Sequence, residues 1–326
     1  MNAIEVSHLR RVYATSVGRI RRQTKEIVAV DDVSFEVKDG ELFGLLGPNG
    51  AGKTTMVKML TTLLIPTRGT ARINGKDVVK DAEVIRQTIG FIFGGERGLY
   101  WRLSALDNLR YFASLYNVDP EVSAKRIPFL LELVGLNGRE KERVEGYSRG
   151  MKQRLHIARA LIHDPMVLFL DEPTIGLDPV GARELRQVIR NLQSEHKTIL
   201  LTTHYMFEAD DLCQRIAVIT QGNIVALDTP SELKKLVQDL SVIELEVFGV
   251  PEELLNQLRG LKFIDSVAVE DRDQAQVLMV QTKRGSEAIP DLMKLMDGQR
   301  VGRVIAREPT LEDAYVRLVG NNRGSD

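Results

Sequence analysis

The chain has 326 residues, 43% hydrophobic and 27% charged, with a formal net charge of -1. That length exceeds one ordinary core and predicts a large domain plus a smaller one. The near-neutral balance gives no reason to expect nucleic acid, the single cysteine (Cys213) excludes an intramolecular disulfide framework, and no apolar run nears the roughly 20 residues of a membrane span.

In chain order, short β-rich runs are expected at 3–6, 27–30 and 33–37, around a polar, basic stretch at 14–25 that reads as an exposed loop. A nearly all-apolar strand at 41–46 then runs into a glycine-rich turn and a helix at 53–64. Further buried strands are expected at 88–93, 166–170 and 198–203, with helices at 122–133, 149–163 and 180–196. Apolar strands alternating with helices predict a parallel sheet covered on both faces, hence an α/β fold. A hairpin is expected at 216–227, with Gly222 and Asn223 in its turn. After about residue 238 the order becomes strand, helix, strand, strand, helix, strand and a short closing helix at 310–319. That βαββαβ order suggests a small ferredoxin-like α+β module. The expected division is therefore 1–238, then 239–320, with 321–326 as a disordered tail.

The sharpest chemical signal is GPNGAGKTT: Gly47, Pro48, Asn49, Gly50, Ala51, Gly52, Lys53, Thr54 and Thr55. It satisfies G-x-x-x-x-G-K-[ST] between an apolar strand and a helix, the context a P-loop needs. The glycines let several main-chain N–H groups converge on one anion, and the following helix adds its positive end. Lys53 would reach the β- and γ-phosphates of ATP, and the Thr54 hydroxyl would ligate Mg²⁺. MVLFLDEPT at 166–174 supplies a buried strand whose carboxylate, Asp171, emerges at its C-terminal edge as a second Mg²⁺ ligand. Glu172 is then placed to polarise the attacking water. Two adjacent carboxylates repel unless a cation is near, which favours a metal. TILLTTHY at 198–205 ends another apolar strand on His204, whose imidazole could contact the γ-phosphate and the water.

With YSRGMKQRL at 147–155, these motifs closely resemble the ATP-binding subunits of ABC transporters over about residues 1–235. The resemblance implies a P-loop NTPase domain with an antiparallel β subdomain and a helical subdomain near 95–160. Ser148, Arg149, Gly150 and Met151 occupy the family's signature loop, with Arg149 where Gly is common and Met151 where Gln is common. By resemblance this loop closes over the ATP of a second ATPase subunit, a second copy in a homodimer or another chain in a heterodimer. Ser148 at a helix N-terminus suits such a phosphate contact. Asp178 of GLDP falls at the dimer seam, and Tyr13 stands where an aromatic ring stacks on adenine. Where many relatives carry a metal-sensing glutamine, this chain has Gly94 and Gly95, so metal coordination would rest on Thr54, Asp171 and water, or on Glu96 as a substitute. Tyr100 and Trp101 suggest a docking surface for a partner helix.

TTHYMFEAD and REPTLEDAYVRL look like the exporter-type subgroup that includes daunorubicin-resistance ATPases. The implied partner is a separate integral-membrane permease. The opening MNAIEVSHLRRVY lacks the apolar core of a secretory signal, so the expected location is cytoplasmic, peripheral on the membrane's inner face. The C-terminal module carries no recognisable chemistry and reads as a dimerisation or regulatory element. One alternative is a soluble ABC-type ATPase working on ribosomes or DNA, which would call for a second cassette, a coiled-coil insertion or a basic face. Another is a binding-only switch, which Glu172 and His204 oppose and Gly94 and Gly95 keep open.

Overall fold

The computed structural model describes residues 1–17, 23–93, 98–237, 239–272, 275–296 and 298–321. The chain divides into two units, Met1–Leu227 and Asp228–Asp326.

The first unit opens with β1 (Asn2–Val17), β2 (Gln23–Lys38) and β3 (Leu42–Leu46), then α1 (Lys53–Leu60), β4 (Arg68–Ile73) and β5 (Lys76–Asp77). It continues through α2 (Ala82–Thr88), β6 (Ile89–Ile92), α3 (Ala105–Leu115), α4 (Pro120–Leu133), α5 (Arg149–Ala160) and β7 (Val167–Asp171). It ends with α6 (Pro179–Ser194), β8 (Thr198–Thr203), α7 (Met206–Leu212), β9 (Arg215–Thr220) and β10 (Asn223–Asp228). Every residue of β3, β7 and β8 is buried, as strands covered on both faces must be. They belong to a six-stranded sheet in the order β10-β9-β3-β8-β7-β6, in which β9, β3, β8, β7 and β6 run parallel to one another. An antiparallel sheet, β2-β1-β4-β5, joins the same core, where Phe35 stacks on Phe43 with ring centroids 5.2 Å apart.

The second unit comprises α8 (Pro230–Lys235), β11 (Ser241–Val247), α9 (Glu252–Arg259), β12 (Ile264–Arg272), β13 (Ala275–Thr282), α10 (Ile289–Leu295), β14 (Val301–Arg307) and α11 (Leu311–Asn321). Its sheet runs β12-β13-β11-β14 with every adjacent pair antiparallel. That is the order of two interleaved βαβ halves, the ferredoxin-like arrangement. Leu245, Leu278 and Val280 on the sheet meet Leu258 and Leu292 on the helices.

Several details differ from the sequence expectation. Residues 14–17 and 23–25, expected in an exposed loop, are strand. Thr15 pairs with Lys25 and Val17 with Gln23, because a two-stranded ribbon is held by main-chain bonds and needs no apolar face. The helix expected at 53–64 ends at Leu60, where the Thr61 hydroxyl donates to the Val57 carbonyl and Thr62 turns left-handed at φ 65. The β9–β10 turn is made by Gln221 and Gly222, both at positive φ, and Asn223 already begins β10. The structural division falls after Leu227, earlier than the expected 238, because α8 packs with α11. Gly94, Gly95 and Glu96 lie outside the described residues, as does 322–326. Among the described residues, no helix is long and apolar enough to cross a membrane.

Candidate active site

In an open α/β sheet, ligands bind beyond the carboxyl ends of the strands. Here β8 lies between β3 and β7, so three loop beginnings converge at one edge: Gly47 after Leu46, Glu172 after Asp171, and His204 after Thr203. The Gly47 N–H donates to the Thr203 carbonyl at 3.2 Å and ties the first of these to the third. Gly52 then caps α1 in a left-handed conformation, φ 105, where any Cβ would fall on the Ala29 carbonyl. Only glycine fits that corner, and it delivers the α1 N-terminus to the site.

Lys53 is 4% exposed and its ammonium is fully engaged. It donates to the carbonyls of Gly47 (2.7 Å) and Pro48 (3.1 Å) and pairs with Glu172 Oε1 at 3.0 Å. Asp171, equally buried, accepts from Thr202 Oγ1 at 2.5 Å on one oxygen and from Thr54 Oγ1 at 2.9 Å on the other. Glu172 adopts φ 48, uncommon for a residue with a long side chain, and its N–H is fixed by the carbonyl (3.0 Å) and hydroxyl (3.1 Å) of Thr202. That turn brings its second oxygen to 3.2 Å from His204 Nδ1. The His204 ring lies 4.1 Å from that of Tyr205. Lys53, Thr54, Asp171, Glu172 and His204 thus form one connected cluster.

The other sequence-derived candidates lie elsewhere. Tyr13 is half-buried on β1 opposite Ile27, with the Arg11 guanidinium 4.8 Å above its ring. Ser148 caps α5 by accepting from the Met151 N–H at 3.2 Å, while Met151 turns its sulfur to Arg139. Gly150 is buried beside them. Asp178 caps α6, accepting from the Val180 and Gly181 N–H groups at 3.0 and 2.9 Å. The Gly181 bond, with that from Val180, holds its carboxyl below the usual carboxylate range. Arg149 differs from its loop neighbours: its side chain lines a cavity shared with Asn49, Thr54, Asp171 and Glu172 of the same chain.

Two buried groups escaped the sequence reading. Glu208 of α7 is 1% exposed, and burial pushes its carboxyl pKa up although the hydroxyls of Thr203 and Thr174 face it. Its sequence signal was a carboxylate sharing a helix face with Leu212, four residues on. His156 of α5 is 2% exposed, with neither ring nitrogen hydrogen-bonded; burial, aided by Arg159, lowers its pKa to about 3.

Residues 30–175 match the ABC transporter family. The Nod factor export ATP-binding protein I of Paraburkholderia xenovorans (strain LB400) is 35% identical over 316 residues, covering 94% of this chain and 97% of that protein. The daunorubicin resistance ATP-binding protein DrrA3 of Streptomyces coeruleorubidus is 36% identical, covering 95% and 97%. A dimeric ATP-binding cassette solved in a post-hydrolysis state with ADP and Pi matches with a TM-score of 0.61 at 26% identity, over 69% of this chain and 98% of that one. A P-loop meeting a strand-terminal Asp-Glu pair, in a chain that aligns with such relatives over nearly its whole length, places the protein in the family of ABC transporter ATP-binding subunits, which bind ATP and hydrolyse it to drive transport.

Proposed function

We propose that Lys53, Thr54, Asp171, Glu172 and His204 form the catalytic half of an Mg²⁺-dependent ATP site, completed by a second copy of the chain and coupled to a separate membrane permease in an exporter. The observation that carries this reading is the convergence of all five side chains at the carboxyl ends of β3, β7 and β8. The N–H groups of Asn49, Gly50 and Gly52, with those of Thr54 and Thr55, receive the phosphates at the start of α1. Lys53 exchanges two carbonyl partners for phosphate oxygens, which as anions are the stronger acceptors.

Thr54 Oγ1 and Asp171 Oδ2, 2.9 Å apart, are hard oxygen donors of the kind Mg²⁺ takes alongside substrate phosphates. The ion supplies neutralisation of the charge on the phosphates. Glu172 accepts the proton of the water that attacks the γ-phosphate, and His204, 3.2 Å from its carboxylate, contacts the γ-phosphate and the water. Tyr13 stacks on the adenine. Ser148 and Gly150, at the positive end of α5, face the ATP of the partner copy, and Asp178 lies at the seam between copies. The dimeric state of the related cassette supports that arrangement.

The export direction is supported by the relatives' roles in Nod factor export and daunorubicin resistance. Tyr100 and Trp101, about half exposed beside Tyr111, offer an apolar surface for the permease at the cytoplasmic face of the membrane. The second unit serves dimerisation or regulation. Glu172→Gln keeps the site's shape while removing its base, so it should trap an ATP-bound dimer on gel filtration under saturating MgATP. A monomer under those conditions counts against the two-copy site.

A further inference from the structure

Glu208 is buried on α7, four residues after His204. The Tyr205 carbonyl accepts the Glu208 N–H at 3.1 Å and the Ala209 N–H at 3.2 Å, so the helix begins directly on the turn that carries His204. Neither oxygen of the Glu208 carboxyl makes a hydrogen bond among the described residues. Buried polar groups are nearly always bonded, so an enclosed carboxyl without a bond calls for a reason.

Its surroundings supply one. Two hydroxyls face it: that of Thr203, the residue before His204, and that of buried Thr174, two residues after Glu172. Thr203 Oγ1 already accepts the Tyr205 N–H at 3.0 Å, which leaves its proton to give. The charged and titratable groups within reach are Arg186 of α6, His204 and the Cys213 thiol. Arg186 is committed to Asp211 at 3.4 Å and lies 5.2 Å over the Phe207 ring. Away from water and without a cation of its own, the carboxyl favours the neutral acid. An acid can accept from one hydroxyl and donate to the other at once. The pair it sits behind is also incompletely aligned: His204 Nδ1 lies 3.2 Å from Glu172 Oε2 but off the line of a hydrogen bond.

We propose that Glu208 is a positioning residue for hydrolysis, coupling the turn before His204 to the loop after Glu172 through Thr203 and Thr174 and so setting the spacing of imidazole and base. This rests on the ATP site proposed above and adds to it a residue that touches neither nucleotide nor water. The chain runs from the Tyr205 N–H to Thr203 Oγ1, from that hydroxyl to one Glu208 oxygen, and from the protonated oxygen to Thr174 Oγ1. Closing the last two links satisfies the carboxyl and draws the two loops together, and the same movement aligns His204 Nδ1 with Glu172.

The test uses the full chain. Glu208→Leu fills the space without polar atoms; it should slow single-turnover hydrolysis about tenfold to hundredfold with ATP affinity within about threefold of the parent, the pattern of a misplaced catalytic group. Glu208→Gln is uncharged and can both donate and accept, so it should stay within about threefold of the parental rate. A parental rate in Glu208→Leu, or an equal loss in Glu208→Gln, overturns the proposal. If Glu208→Leu fails to fold, Thr174→Val breaks the chain at its far end: a slowed rate supports the proposal and a parental rate overturns it.

A double substitution separates this role from general bracing of α7. Because Glu208 acts through His204, adding Glu208→Leu to His204→Ala should slow hydrolysis less than about twofold further, whereas a full multiplication of the two losses overturns the proposal. Glu172→Gln measured alongside distinguishes the two levels of the account. Hydrolysis lost there but parental in Glu208→Leu overturns the role of Glu208 alone; a parental rate in Glu172→Gln removes the ATP site reading and this proposal with it.

Discussion

The two units of the chain use charge in opposite ways. In the second unit, Arg307 bonds Glu244 and Asp313, each at 2.6 Å, and Asp313 also accepts the Thr310 N–H and hydroxyl. Burial alone would raise the Asp313 pKa, yet the Arg307 and Thr310 bonds hold it below the usual carboxylate range. Those charges satisfy one another. In the first unit, Lys58, Arg149, Asp171 and Glu172 line a cavity at the carboxyl ends of parallel strands, with Lys53 paired to Glu172. A closed ion cluster braces a fold; a cluster opening on a cavity is built for a ligand.

The largest effect that can break this comparison is at Lys53. Lys53→Ala should abolish ATP turnover while leaving the melting of the second unit unchanged, measured by phosphate release and thermal unfolding. Undiminished turnover would remove the P-loop from the account. Next, Arg307→Ala leaves Asp313 and Glu244 without their cation. It should cost about 3 kcal/mol in denaturant unfolding of the second unit, the scale for breaking a mostly buried pair, with kcat within about twofold of the parent. A large fall in kcat there would mean the units are not chemically separate.

A smaller, pH-dependent effect belongs to His156. Its folded pKa, about 3, lies below the ordinary 6.5, so the unfolded chain binds a proton that the fold refuses. Its contribution is therefore neutral above pH 6.5 and becomes destabilising as pH falls toward about 3, by up to about 1.4 kcal/mol per pH unit. His156→Phe should flatten the pH dependence of stability across that window, and an unaltered slope would contradict the assignment. The smallest expected effect on the ATPase itself is at Trp101, half exposed beneath the Lys152 ammonium at 5.2 Å. Trp101→Ala should weaken co-purification with the permease and change basal turnover less than about twofold; loss of soluble protein instead would mark it as packing.

Much of the architecture was legible because its signals are local. LFGLL followed by a glycine turn, VLFLD ending in acids, and TILLTT ending before His204 each state a buried strand and what emerges from it. The C-terminal βαββαβ order was legible for the same reason. What escaped depends on contacts between distant segments. The Arg149 guanidinium lies where a Cβ on Gly176, 27 residues away, would fall, a contact no local pattern announces. Glu208 and His156 are polar residues on the inward faces of helices, where composition reads a solvated surface. Residues 14–17 and 23–25 are mostly polar, so only their cross-strand pairing marks them as strand.

The central claim, that Glu172 activates water at an ATP site built on Lys53, is tested most directly by measuring ATP affinity and single-turnover hydrolysis together in Glu172→Gln. The account predicts affinity within about threefold of the parent and hydrolysis slowed at least about a hundredfold, the effect of losing a positioned base. Hydrolysis at the parent rate with ATP bound would show that another group does this work.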